Sequence, residues 1–535
     1  FFSLFIASRF TFSCLSSSPR SQSIVQAYIL ITEEATVSRG CMDLMTKNLF
    51  HFDNEHVTIS NVILRPAMIL MVWPMLSICA AIPLLWYLFI GRVPRSKKQE
   101  TYAFFHPYCS GGGGGERVLW KIVQGLQASS ESVRIVIFTV DPPNTDESQL
   151  REDAQLRFDV KIPRPIHLIS LEDCRDYLNP RPFLSLVMES WGTMQFAFEA
   201  FSRYSRRFPE TPIDIYWDTT GCAFTFLVAR CMCPSARILA YVHYPTISTD
   251  MMAWEWQQNS TSRPIHKTML KLAYYWVFAI LYGMVGALAD VVMVNSTWTY
   301  GHIRQLWGFV SANRIHIVYP PCRIPSSLSS SEGSETLSSN ERAPTIVSIG
   351  QFRPEKDHTL QIQSLALLFE KYPHHRKNGV KMLLIGSCRN DQDKQRVEEL
   401  RKLVSTSQLD DAVTFSINPP YQGLQECMST SWIGIHTMRQ EHFGIGIVEM
   451  MAAGLIVVAH NSGGPKTDII QNKVTGYLAV TAEEYVEALH QALTLPTQEA
   501  QLLREKAKAS ALRFSDDVFD QALPPILSTL MRTTS

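Results

Sequence analysis

The segment EHFGIGIVEMMAAG at 441 to 454 sets two carboxylates, Glu441 and Glu449, eight residues apart between the apolar runs WIGIHT and LIVVAHN. If those runs are strands joined by a loop and a helix, Glu441 falls at the carboxyl end of its strand. Gly444 and Gly446 then lie about where the helix begins, and Glu449 two turns or so into it. Glu441 would thus face a reacting sugar while Glu449 reaches a ribose, because carboxylates accept paired hydroxyl donors well. Glutamates at this spacing more often mark a solvated helix face, so the pair needs company. The run FFHPYCSGGGGGERVLW reads as a strand, a loop with Gly111 to Gly115, and a helix opening near Glu116. Backbone free of side chains at a helix N-terminus suits phosphate. A nicotinamide fingerprint would need a third spaced glycine and a nucleotide P-loop would need Gly-Lys-Ser/Thr, where Glu116-Arg117 stands. A flexible loop is the other reading of five glycines. His243 ends the run ARILAYVHY, where an imidazole could touch a sugar or an acceptor hydroxyl. A satisfied loop histidine is its plainer alternative.

These residues need a scaffold, and the chain is long enough for two domains at 535 residues. The runs TYAFFHPY, VRIVIFTV, IDIYWD, ARILAYVHY, VVMVNS and IHIVYPP alternate with helical patterns, as do TIVSIG, KMLLIGS, AVTFSI, WIGIHT and LIVVAHN. Short apolar runs bounded by Gly, Pro and Asp indicate buried parallel strands, so both halves read as α/β. The first domain is expected at 99–322 on the acceptor side and the second at 344–496 on the donor side. The Ser-rich stretch 323–343 is the linker, and helices at 497–535 are expected to brace back on the first domain.

Charged residues make up only 18 % of the chain, against an average of ~25 % for soluble domains, so part of the surface is expected outside water. Residues 66–91 carry no charge over 26 positions and are followed closely by Arg92, Arg95, Lys97 and Lys98. They read as a transmembrane helix with everything after it in the cytosol. Residues 1–65 begin with Phe and read as an uncertain N-terminal extension, with Met42, Met45 and Met68 as candidate starts. A second uncharged stretch, 272–289, sits inside the first domain and reads as a membrane-associated helix lying at the interface, with a buried core helix and a true span as the alternatives. Lys+Arg and Asp+Glu are equal at 49 each, which supplies no field for nucleic acid. Eleven scattered cysteines suggest free thiols, with Cys231 and Cys233 as a buried pair of small apolar residues. The sequons at Asn259 and Asn295 are expected to be bare on the cytosolic side.

The glutamate pair with Phe443-Gly444 and Ala453-Gly454, and the later Ser462-Gly463-Gly464-Pro465, resemble the retaining glycosyltransferases of the GT-B fold: two Rossmann-like domains facing a cleft. Gly350-Gln351-Phe352-Arg353-Pro354-Glu355-Lys356 resembles that family's strand-end motif, whose basic residues hold the donor diphosphate. Gln351 stands where the family usually has Arg, and Arg353 follows two residues later. More narrowly, HPYCSGGGGGERVLW, YVHYPTISTDM, GQFRPEKDH and EHFGIGIVEMMAAGLIVVAHNSGGPKTDII resemble a family of α-1,2-mannosyltransferases that extend dolichol-linked oligosaccharide at the endoplasmic reticulum. The resemblance implies GDP-mannose as donor and a lipid-linked Man3GlcNAc2 acceptor, extended to Man4 and then Man5. It also implies an endoplasmic reticulum membrane location and other transferases of the same pathway as partners.

On that reading Lys356, Arg353 and the backbone N–H groups of Gly113, Gly114 and the Phe443-Gly444-Ile445 turn stabilise the departing diphosphate. Glu449 binds the donor, and Glu441 and His243 are the catalytic candidates, with Glu441 positioning or stabilising the mannose. No metal and no cofactor is expected. The one D-x-D, Asp391 and Asp393, opens a charged helix and reads as a solvated first turn. The alternatives are a related enzyme using another nucleotide sugar or lipid acceptor, and an inactive transferase-like membrane subunit.

Overall fold

The computed structural model describes residues 100–532, apart from 183, 253–264, 325–341, 389 and 420. The expected extension 1–65, the expected membrane helix 66–91, Asn259 and most of the linker lie outside the described residues.

Seven parallel strands form the first sheet: β1 (Glu100–Phe105), β2 (Val133–Thr139), β3 (His167–Ser170), β4 (Ile215–Asp218), β5 (Arg237–Val242), β6 (Val291–Val294) and β7 (Ile315–Ile317). Their order is β3-β2-β1-β4-β5-β6-β7. Six more form the second: β8 (Ala343–Ile349), β9 (Lys381–Gly386), β10 (Val413–Ile417), β11 (Ser431–His436), β12 (Ile456–His460) and β13 (Tyr477–Ala479), in the order β10-β9-β8-β11-β12-β13. Both sheets are covered on both faces, and β1 shows why its run is continuously apolar. Ala103 and Phe105 join one buried cluster, while Tyr102 and Phe104 join the cluster on the opposite face.

In each sheet the strand order reverses beside the first strand, between β1 and β4 and between β8 and β11. Doubly wound sheets bind ligands in the crevice outside the carboxyl ends of strands at such points. The glycine loop follows β1, Arg353 and Lys356 follow β8, and Glu441 follows β11. The chemistry-bearing residues thus hang from both reversal points.

Three expectations need correction. Helix Thr497–Ala511 stays with the second domain, where Ala500, Leu503, Ala507 and Ala511 are buried. Only helix Asp516–Arg532 packs on the first domain, inserting Phe519, Leu523 and Ile526 among its core residues. The turn between them is tied to the end of the first domain by the Cys322 N–H, which donates to the Phe514 carbonyl at 2.9 Å.

The linker ends earlier than expected, since Ala343 opens β8 and Arg342 donates to the carbonyls of Met428, Ser431 and Ala453. Cys231 and Cys233 are not a buried pair: at the end of helix Thr225–Met232, Cys231 is exposed and Cys233 half-buried.

The apolar stretch expected at 272–289 lies in helix Ile265–Gly286, the crossover between the parallel neighbours β5 and β6. Its portion Thr268–Gly286 is long and apolar enough to cross a membrane, with mean hydropathy 1.4. One side buries Phe278, Ala279, Tyr282 and Val285 in the first domain, and the other exposes Met269, Leu270, Trp276 and Ile280.

Candidate active site

Glu441 lies just past β11, with its side chain 12 % exposed. Its Oε2 is 2.5 Å from the Lys356 ammonium and 3.2 Å from His436 Nε2, and its Oε1 accepts from the His442 N–H at 3.2 Å. Burial alone would raise this carboxyl, but the Lys356 charge and the His436 hydrogen bond override it and hold Glu441 well below the usual carboxylate range. His436, the last residue of β11, is itself pushed down by burial. It is neutral, so the proton on Nε2 is the one facing Glu441.

The backbone around this pair is held in an unfavourable conformation. Gln440, immediately before Glu441, has φ 55°, and Asp357, immediately after Lys356, has φ 46°. Both are non-glycine residues in the left-handed region, which costs ~1 kcal/mol or more each and persists only where the surroundings over-determine it. They do so here. The Gln440 N–H donates to Ser462 Oγ at 2.8 Å, and the Thr437 hydroxyl, which donates to the Lys356 and Asp357 carbonyls at 2.8 and 3.0 Å, accepts from Gln361 Nε2.

The Ser462-Gly463-Gly464 turn supports the Glu441 loop from beneath. The Gly464 N–H donates to the Glu441 carbonyl at 2.8 Å. A Cβ on Gly463 would meet that carbonyl oxygen at 2.2 Å, and one on Gly464 would meet Phe443 Cα at 2.6 Å. Gly444 has φ 113° and caps helix Ile445–Ala452 with no side chain to occupy its first N–H groups. Phe443 is only 2 % exposed, its ring packed on Tyr319 and Phe514. Its side chain is core, so only its backbone can meet a donor.

On the opposite rim, His243 follows β5. A hydrogen bond to the Thr219 backbone favours its charged form, but burial and then His442 push its pKa down to about 4. Its Nε2 is buried with no hydrogen-bond partner, so a neutral imidazole presents a free ring nitrogen. His243 lies against the glycine loop, where a Cβ on Gly115 would come 3.6 Å from that nitrogen. The rims meet at the same loop, because a Cβ on Gly114 would strike Ile445 Cδ1 at 2.6 Å. At Gly114 the loop thus comes into close contact with the other domain, and it is less open than a simple phosphate cradle. The Gly113 N–H is already taken by Glu116 Oε2 at 2.8 Å in a capping box, which a donor would have to displace.

Arg353 stands apart from the Lys356–Glu441 pair. Its Nε is buried without a partner, Nη1 is 3.6 Å from Glu355, and its charge lowers the Glu116 carboxyl from across the cleft against the larger effect of burial. Glu449, half-buried in helix Ile445–Ala452, has its pKa raised to about 7 by burial, opposed by the charges of Arg117 and Arg323.

Of the D-x-D, Asp391 is exposed and pairs with Lys394 at 2.9 Å, as a solvated first turn should. Asp393 is 5 % exposed, tucked under that turn, so the expectation held for one aspartate only. Asn295 is 3 % exposed and its Nδ2 donates to the His243 carbonyl, so a bare sequon there reflects burial and carries no information on topology.

His436 and His442 were missed in the sequence. The signal for His436 was its place at the end of WIGIHT, five residues before Glu441. His442 stacks on Tyr244 with ring centroids 4.1 Å apart and lies 5.7 Å from Trp298, pinning the two domains together, and nothing in its spacing announces this.

Residues 99–307 match the family described as ALG11 mannosyltransferase N-terminus, and residues 330–510 match glycosyl transferases group 1. The chain is 42 % identical over 437 residues to a Xenopus laevis protein named GDP-Man:Man(3)GlcNAc(2)-PP-Dol alpha-1,2-mannosyltransferase, covering 79 % of this chain and 86 % of that one. It is 40 % identical over 441 residues to the Homo sapiens protein of the same name, with the same coverage. Among solved structures it is similar to a sucrose-phosphate synthase from Thermosynechococcus elongatus, with TM-score 0.58 and 17 % identity over 81 % of this chain and 100 % of that one. A glycosyltransferase from Rickettsia africae gives TM-score 0.53 and 16 % identity over 81 % and 99 %. These likenesses show two parallel-sheet α/β domains arranged as in GT-B glycosyltransferases. With such relatives aligned over about four-fifths of its length, the chain is a glycosyltransferase and belongs to the GDP-Man:Man(3)GlcNAc(2)-PP-Dol alpha-1,2-mannosyltransferase family.

Proposed function

We propose that this chain transfers mannose from GDP-mannose, with retention, to the Man3GlcNAc2 oligosaccharide on dolichyl pyrophosphate, forming α-1,2 linkages in two successive additions. The observation that carries the reading is the Lys356–Glu441–His436 network at one strand-order reversal, facing His243 and the glycine loop of the other domain. Glu441 is too acidic to donate a proton. Its charge instead favours positive character on the sugar carbon as the bond to the diphosphate breaks. Lys356, held by Glu441, turns its remaining N–H groups to the departing phosphate oxygens. Arg353 and the N–H groups of Gly444, Ile445 and, once Glu116 is displaced, Gly113 and Gly114 complete that anion site.

Nε2 of His243 accepts a hydrogen bond from a hydroxyl of the sugar or of the acceptor, and Glu449 accepts the ribose hydroxyls. His436 is a positioning residue that orients Glu441. No metal is routed through these steps. A chain-anchoring helix at 66–91 and the exposed apolar side of helix Ile265–Gly286 would hold the cleft at the cytosolic face of the endoplasmic reticulum, where a lipid-linked acceptor is presented.

The test is transfer of radiolabelled mannose from GDP-mannose to the lipid-linked Man3GlcNAc2 acceptor with EDTA present, comparing wild type with Glu441→Ala and Lys356→Ala. Product that forms in EDTA, is cut by an α-1,2-mannosidase and is lost in both folded variants supports the assignment. Failure of folded wild type with this pair, alongside turnover of another nucleotide sugar or lipid acceptor, would replace it.

A further inference from the structure

A second cluster of chemically capable side chains lies at the other end of the second sheet. Helix His358–Lys371 runs from the carboxyl end of β8 to the opposite edge, and the short helix His374–Lys377 follows, just before β9 begins at Lys381. Helix Ala482–Thr494 packs beside them and brings His490 alongside. The ring nitrogens offered by His374, His375 and His490 all lie within 4.8 Å of one another. His375 Nε2 and His490 Nδ1 are 2.9 Å apart.

The surroundings hold this arrangement. His490 stacks on Tyr372 at 3.7 Å between ring centroids, with planes 4° apart, and the Tyr372 hydroxyl donates to both oxygens of Glu487 at 3.2 Å. Lys371 pairs with Glu487 at 2.5 Å. His375 is 3 % exposed and His374 is open to solvent, so the cluster has a buried ligand, a rigid wall and an entry path.

We infer that His374, His375 and His490 form a binding site for one borderline-soft divalent cation of the zinc class, remote from the reaction cleft. Three imidazoles without a carboxylate among them select such a cation over magnesium or calcium, which take oxygen ligands. A tetrahedral zinc holds its nitrogens ~3.3 Å apart at bond lengths of ~2.0–2.1 Å, so small side-chain rotations bring all three to the metal, with water as a fourth ligand. His375 Nε2 and His490 Nδ1 share a hydrogen bond here, one ring donating to the other, and cation binding displaces that proton and frees both nitrogens as ligands. The bound ion would clip the His374–Lys377 turn to helix Ala482–Thr494 and stabilise the second domain without touching the cleft.

The experiment uses the full-length protein in detergent, stripped with EDTA and dialysed, then titrated with Zn2+ against a chromophoric chelator. One Zn2+ per chain is expected, with affinity reduced at least tenfold in His374→Ala and in His490→Gln. His374 is exposed but its ring lies 4.2 Å from that of His375, so the metal-free thermal midpoint of the variant is compared with wild type to separate ligand loss from unfolding. Saturating Zn2+ is expected to raise the thermal midpoint of wild type by about 5 °C and that of neither variant. Mannosyl transfer well below the midpoint is expected to be the same with and without Zn2+, which keeps this test separate from that of the proposed reaction. Zn2+ affinity unchanged in His374→Ala, or absence of stoichiometric binding in wild type, overturns the inference.

Discussion

The two rims of the cleft are built from different physics. The second domain presents a charged network, with a buried carboxylate locked between an ammonium and an imidazole and with left-handed backbone on either side. The first presents neutral groups, an uncharged His243 and a glycine loop whose N-terminal donor is satisfied by the chain's own Glu116. In the proposed reaction the charged rim takes the departing diphosphate, and the neutral rim takes the hydroxyls. A cleft of this kind keeps strong fields on one side, where they are pre-paired and need no reorganisation during reaction.

Removing the centre of the charged rim is the most direct way to break that contrast. Glu441→Ala is expected to lower kcat by about 10³-fold or more, and Glu441→Gln by nearly as much, because the amide keeps the shape and loses the charge. A Glu441→Gln enzyme of near-normal kcat, measured on folded protein, would show that shape alone is used. Lys356→Ala should cost about 10²–10³ in kcat with a smaller change in KM, since the ammonium acts mainly on the departing charge. An effect confined to KM would move Lys356 into ground-state binding.

The neutral rim should respond more mildly. His243→Ala is expected to lose about 10²-fold in kcat/KM. In wild type, the acid limb attributable to His243 should lie near pH 4 rather than near 6.5. A limb at 6.5 that disappears in His243→Ala would mean that the imidazole is solvated in the working enzyme.

The smallest effect concerns Glu449, whose pKa of about 7 lies above its ordinary 4.5. Between those values the folded state binds more protons than the unfolded one, so stability falls as pH rises through the window and levels off above it. Glu449→Gln should remove this slope and raise the ligand-free midpoint at pH 8 by about 2–4 °C, while weakening donor binding. Equal slopes in wild type and variant, followed by thermal melts from pH 4.5 to 8, would place the titrating group elsewhere.

How much could be read beforehand differs between the rims in the same sense. Eleven of the thirteen strands were legible as apolar runs, including the short β4, β6 and β7, whereas β3 (HLIS) and β13 (YLA) are interrupted by polar residues or too brief to stand out between turns. The place of Glu441 at a strand end and of Gly444 near the start of the next helix left marks in local spelling, whereas Lys356 was singled out by the resemblance of its motif. The link from Lys356 to Glu441 spans 85 positions and the stacking of His442 on Tyr244 joins separate domains, so both depend on how the sheets meet. Glu116 was noted only as a departure from a phosphate-loop motif, although its role as the cap that occupies the loop is a local one. The glycines drew attention for phosphate, while the geometry makes them contact points with Ile445 and His243.

The last helix has a consequence for how the protein is made. Arg117 is 4 % exposed and pairs with Asp516, 399 positions later, beside the apolar contacts of Phe519 and Leu523. At ~5–20 residues per second, a ribosome needs roughly 20–80 s to travel from one partner to the other. From the completion of β7 at Ile317 until Asp516 follows, the first domain has all of its strands but lacks part of its outer wall, leaving a buried guanidinium without its carboxylate and an apolar face uncovered. The nascent chain would therefore pass through an unfinished state, and truncation before Asp516 would leave it there.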